Sequence, residues 1–254
     1  MAVLRRRYER ARRLARQVLW ECGMDEPSKI DPFVVVGRHK IEVIYCRLDG
    51  ATAQILRHGD RAIMRISDQI VQLGRLRFTV AHELGHYLLG HQLPSQHESE
   101  ASFPFSAHQE READVFAAEF LMPDEYVEPF AANAPTLSTI DAIGRAFRTS
   151  VVASAVRYVE ISSSPCAVAY SEDGYVVWAK RSRAFPLRIP SQLRIGEGAI
   201  AHEFHFRRKM VKVPRAVPAR SWFGIGAAIP HALVEHAVVI PEPGWGGLLS
   251  LLAI

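Results

Sequence analysis

Thr79-Val80-Ala81-His82-Glu83-Leu84-Gly85-His86-Tyr87-Leu88-Leu89-Gly90-His91 is the stretch that decides how this chain is read. Histidines at i and i+4 lie one turn apart on one face of a helix. Their ring nitrogens can share one tetrahedral ion at about 2.0–2.1 Å. Glu83 follows His82 and projects beside such an ion rather than onto it. That is the position of a general base, which takes a proton from water whose pKa the ion lowers to roughly 7. Phe78, Val80, Leu84, Leu88 and Leu89 flank the pair and would bury the helix. Two imidazoles and a carboxylate on a buried helix are costly unless they have a partner. The helix is expected to span residues 69–90.

Two protein ligands are too few for a catalytic zinc, which takes three plus water. The longer pattern H-E-x-x-H-x-x-G-x-x-H places a third histidine downstream. Gly90 and His91 each miss that register by one residue, so His91 reads as a helix-end histidine favoured by the dipole. A second helix is the better source, expected over 108–122 and stopping at Pro123. Phe116, Phe120 and Leu121 form its core stripe. Glu110 and Asp114 stand at i and i+4 on one face. One can hold the ion while the other accepts a hydrogen bond from a liganding histidine. Glu110 is the expected third ligand and Asp114 its supporting neighbour. Glu112, about 200° around the helix from Glu110, should point elsewhere. Glu112 and Glu119 read as solvated.

Outward from these helices, the 254-residue chain has ordinary globular composition, 48% apolar and 23% charged, enough for a core without disulfides. Cys22, Cys46 and Cys166 are odd in number and far apart. They read as reduced thiols of a cytoplasmic protein. No stretch is apolar enough to cross a membrane, and the N-terminus has no secretory signal. Leu4, Tyr8, Ala11, Ala15 and Val18 recur at helical spacing, so the first twenty residues form an amphipathic helix. Its outer face carries seven arginines and one glutamate and reads as solvated. The net charge of +4 is uneven: residues 97–128 hold nine acids and one base, and residues 180–220 hold eleven bases and two acids.

Asp31-Pro32 opens a short helix to His39, as a cap followed by proline at the first helical position. Residues 41–48 alternate as a strand. Residues 53–66 read as two strands about His58-Gly59-Asp60. Two helices over 134–164 are split at Arg148-Thr149-Ser150, with Ser138 or Thr139 capping the first and Ser150 the second. From Ser164 onward, short alternating runs and frequent Pro and Gly indicate a β-rich domain.

The segments HELGHYLLGH and EREADVFAAEFLMP, within residues 78–123, resemble the ImmA/IrrE metallopeptidase family. The resemblance implies a multidomain α+β chain with three parts. Residues 1–134 would be a thermolysin-like minimal zinc peptidase core, 135–163 a helix-turn-helix-like pair, and 164–254 a β-rich, GAF-like sensor domain. It also implies a gluzincin-like metalloendopeptidase using zinc, manganese or another divalent ion. Its expected partner is a helix-turn-helix transcriptional repressor, cut to release a stress, DNA-damage or radiation response. His82, His86 and Glu110 would hold the metal, Glu83 would be the catalytic base, and Asp114 would support a liganding histidine. Tyr126 and His108 are candidates for stabilising the oxyanion.

Two other readings compete. A DNA-binding regulator would rest on residues 136–161, but the first turn of its second helix, Val151-Val152-Ala153-Ser154, has no base before Arg157 and suits base edges poorly. A sensor would bind a small ligand in the basic C-terminal part, with Trp178, Trp222 and Trp245 as lining or as core. His202 and His205, read as strand residues, would point to opposite faces and not share a metal.

Overall fold

The computed structural model describes residues 2–48, 51–59, 61–94, 105–223, 231–241 and 246–254. The chain is a mixed α+β protein of two compact units: Met1–Tyr126 with Arg145–Ser150, and Val127–Gly144 with Val151–Ile254. None of the described helices is long and apolar enough to cross a membrane.

The first unit opens with α1 (Ala2–Glu21) and α2 (Pro32–Arg38). Asp31 caps α2, accepting from the Phe33 amide at 3.0 Å, with Pro32 at the first helical position as the sequence indicates. Strands β1 (Glu42–Cys46), β2 (Ala53–His58) and β3 (Arg61–Ser67) form a sheet ordered β1-β3-β2, parallel for β1–β3 and antiparallel for β2–β3. Gly59, at φ +61°, takes the left-handed conformation of the β2–β3 turn. Asp60 of that expected turn lies outside the described residues. Helices α3 (Leu73–Leu88) and α4 (Ala107–Leu121) complete the scaffold of the histidine motif.

Helix α4 packs against both α1 and α3. From α1 the stripe Ala11, Ala15 and Val18 is buried, as its spacing requires. The arginine face is exposed as expected, apart from the half-buried Arg12, but the solvated reading of Glu112 and Glu119 needs correction. Arg16 Nε lies 2.6 Å from Glu119, Arg16 and Arg12 reach Asp124 at 3.0 and 3.6 Å, and Arg7 lies 3.9 Å from Glu112. Glu119 is fully buried and Glu112 nearly so. These acids are not solvated because α4 has a helix on two sides. A 3.6-residue period identifies one buried stripe and cannot report a second neighbour.

Helices α5 (Asp124–Ala131) and α6 (Leu137–Phe147) run across the division between the units. Thr136, not Ser138 or Thr139, caps α6, accepting from the Thr139 amide at 3.1 Å.

The second unit holds α7 (Val151–Ile161), β4 (Cys166–Glu172), β5 (Tyr175–Arg181), α8 (Ile200–Arg207), β6 (Arg215–Pro218), α9 (Arg220–Phe223), β7 (Ala232–Ile240) and β8 (Gly247–Ala253). Its strands form an antiparallel sheet ordered β5-β4-β8-β7-β6. Helix α7 packs on β4 and β5, and α8 on β7 and β8. Arg157, the first base of α7, is 2% exposed and cannot reach a base edge. Trp222 is core; Trp178 stacks on Tyr170 at 5.8 Å; Trp245 lies outside the described residues.

The strand reading of His202–His205 is overturned, since both lie in α8. His205 Nε2 instead meets Ser171 Oγ at 3.0 Å in the core. Helix α8 has no side-chain cap of its own at Ala199. The cap comes from β7: Glu235, fully buried, accepts from the amides of Ile200 and Ala201 at 2.8 and 3.0 Å. Ser250 Oγ and Trp222 Nε1 also donate to it, at 3.0 and 3.3 Å. Burial pushes the Glu235 pKa up, while these four donors pull it down. A cap supplied by a distant strand leaves no local signature.

Candidate metal centre

Helix α3 carries His82, Glu83 and His86 on its buried length, and α4 crosses it closely at Gly85. A Cβ on Gly85 would lie 3.0 Å from Ala113 Cα, so glycine lets α4 approach near enough to offer its acids. Ser106 and Gln109 start α4 with a reciprocal cap: Ser106 Oγ accepts from the Gln109 amide at 3.3 Å, and Gln109 Oε1 from the Ser106 amide at 2.9 Å. Glu110 therefore falls in the first turn, where the helix dipole favours a carboxylate.

His82 Nε2 and His86 Nε2 stand 3.1 Å apart. Glu110 Oε2 is 3.2 Å from His82 Nε2, and Glu110 Oε1 is 3.8 Å from His86 Nε2. One ligand atom from each of the three lies within 4.8 Å of the others, the single such group among the described residues. Glu83 is 7% exposed and not part of the trio, though its charge acts on His82. Asp114 Oδ1 stands 3.1 Å from His82 Nδ1, accepting from the far side of that ring. Phe105 stacks on His86 at 3.7 Å.

The electrostatics follow from this packing. Burial opposes a proton on His82, but Asp114 and Glu110 outweigh it, aided by the charge of Glu83, and raise its pKa to about 10. His86 is lowered, chiefly by burial. Hydrogen bonding to His82 and His86 holds the Glu110 carboxyl well below the usual range. Two inward nitrogen lone pairs 3.1 Å apart repel unless a cation or proton sits between them. The donor set, two imidazoles and a carboxylate, is that of a catalytic zinc.

The remaining sequence candidates fare differently. The Tyr126 hydroxyl, a candidate oxyanion donor, donates to the Asp25 carbonyl at 2.8 Å. His108 is exposed in the first turn of α4. His91 was expected only at a helix end, yet its Nδ1 lies 2.9 Å from His86 Nδ1 and its Nε2 lies 3.1 Å from Glu112 Oε2. Sequence spacing missed that contact, although Gly90, just past the C-cap residue Leu89, is a signal for it.

Residues 36–158 match the profile of a peptidase family described as the IrrE N-terminal-like domain. No curated protein matches the chain. Among solved structures, a Mycobacterium tuberculosis transcriptional regulator aligns with a TM-score of 0.58 at 17% identity, over 96% of this chain and 76% of that one. At that identity the likeness is one of fold.

Proposed function

We propose, from the premise that residues 36–158 form an IrrE N-terminal-like domain of the ImmA/IrrE family, that this chain is a zinc-dependent site-specific endopeptidase. Its proposed substrate is a helix-turn-helix transcriptional repressor, whose cleavage derepresses a stress response to DNA damage or radiation. The observation that carries the enzymatic reading is the convergence of His82 Nε2, His86 Nε2 and Glu110 within 4.8 Å. Those three would hold the ion, and Asp114 keeps the His82 Nε2 turned inward. When bound, zinc, or manganese in its place, supplies Lewis-acid polarisation of the scissile carbonyl and acidifies the attacking water. Glu83 accepts the proton that water loses and delivers it to the departing amide nitrogen.

A protein substrate is favoured over direct DNA reading because Arg157 is buried in α7. The name of the solved neighbour, a transcriptional regulator, is consistent with a role in gene control. The second unit is assigned to sensing a small anion. A cavity of about 530 Å³ beside β5 is lined by Trp178, Lys180, Arg181, Arg188 and Ile189. The experiment for the peptidase reading incubates the purified chain with candidate repressors, with and without added zinc or manganese, and reads fragments by mass spectrometry. A single metal-dependent cut is expected; no cut with any metal removes the reading.

Metal loading should depend on pH with a defined sign. With its pKa raised to about 10, His82 is protonated at neutral pH in metal-stripped protein, and that proton must leave before Nε2 coordinates. Apparent zinc affinity should therefore rise with pH, about tenfold per unit from pH 7 to 9. Calorimetry in buffers of different ionisation enthalpy should count about one proton released per ion at pH 7.5. Uptake without proton release contradicts this.

A further inference from the structure

We infer that His91 and Glu112 are positioning residues that fix His86 as a metal ligand, through a relay running Glu112–His91–His86. The inference rests on the metal reading proposed above. It begins with how α3 ends. Gly90, at φ +72°, follows the helix in the left-handed conformation. The Gly90 amide donates to the Tyr87 carbonyl at 3.2 Å, and the His91 amide to the His86 carbonyl at 3.1 Å. This pair of bonds closes a helix whose next residue is left-handed, and it folds the chain back over the last turn. Arg10 of α1 secures the turn, donating to the Leu89 carbonyl at 3.1 Å. His91 is thereby laid against His86, five residues before it.

The three hydrogen-bonding groups then have one consistent polarity. The Glu112 carboxylate accepts, so His91 Nε2 carries the hydrogen that meets it at 3.1 Å. His91 Nδ1 is left as an acceptor, so His86 Nδ1 is the donor across the 2.9 Å contact. The lone pair of His86 is consequently on Nε2, facing His82 and Glu110. Asp114 does the same for His82 directly. His86 receives its carboxylate one ring removed, and the His91 imidazole spans the gap. The side chains of His91 and Glu112 are each 7% exposed, so water competes little for these bonds. A ligand histidine anchored at its second nitrogen has a set tautomer and ring orientation and is the more basic for it. Both histidines thus take their orientation from acids of α4.

The test uses the full chain. Zinc affinity is measured by competition with a chromogenic chelator, and the cobalt-substituted protein gives a visible spectrum that reports ligand geometry. The set is native, His91→Leu, His91→Asn, Glu112→Gln, and the double variant His91→Leu with Glu112→Gln. His91→Leu is expected to weaken zinc affinity about 10–100-fold and to shift the cobalt bands. His91→Asn, whose Oδ1 stands where Nδ1 stood, should recover most of that loss. The double variant should bind no more weakly than His91→Leu alone, because both changes act through His86. A folded His91→Leu protein with zinc affinity within about threefold of native overturns the inference and returns His91 to a helix-end role. A native chain that takes up no zinc overturns the metal reading itself.

Discussion

The Glu83→Gln variant should bind zinc as the native chain does and cleave its substrate about 10²–10⁴-fold more slowly. Glu83 lies on α3 beside His82, 7% exposed, and outside the His82–His86–Glu110 trio. Glutamine keeps its volume and leaves the ligand set intact, but an amide oxygen does not take a proton from water at neutral pH. The contrast is His86→Ala, which removes a proposed ligand, 1% exposed at the centre of the trio, and should lose metal and cleavage together. Zinc stoichiometry and cleavage rate, measured on the same preparations, separate the two variants. Cleavage by Glu83→Gln at the native rate removes the mechanism, whatever the metal content.

The Glu235→Ala variant should lose roughly 3–5 kcal/mol of stability in the second unit. The carboxylate on β7 takes four hydrogen bonds, from the Ile200 and Ala201 amides, Trp222 Nε1 and Ser250 Oγ, all in the core. Truncation strands these donors away from water and uncaps α8 in one step. Glu235→Gln retains an acceptor oxygen and should cost less. Urea denaturation followed by tryptophan fluorescence measures both, since Trp222 is itself one of the donors. A loss below about 1 kcal/mol for the alanine variant would show that water or repacking satisfies the stranded groups.

The legible part of this protein was local. Asp31-Pro32 marked the start of α2, Gly59 lay in the β2–β3 turn, and the α1 stripe from Ala11 to Val18 was visible in its spacing. Histidines four apart with Glu83 between them specify one helix face. Glu110 and Asp114, also four apart, specify another. What failed to show involved a second neighbour. Glu119 looked solvated because its own helix cannot report that α1 covers it. His202 and His205 looked like strand residues because α8 is capped by Glu235, thirty-odd positions away.

By itself, then, the sequence determined the identity of the chemical groups and the helix faces that carry them, since both follow from spacing of at most one turn. Only the tertiary structure decided that the two faces meet, through the close crossing at Gly85. It also decided that His91 turns back onto His86 and that Glu112 stands behind it rather than in solvent. The physical reason is range. Helical period and caps act within a few residues, whereas the direction of an imidazole lone pair depends on what packs against its other nitrogen: for His82 an acid of α4, and for His86 a histidine of the turn after α3 that is itself backed by an acid of α4.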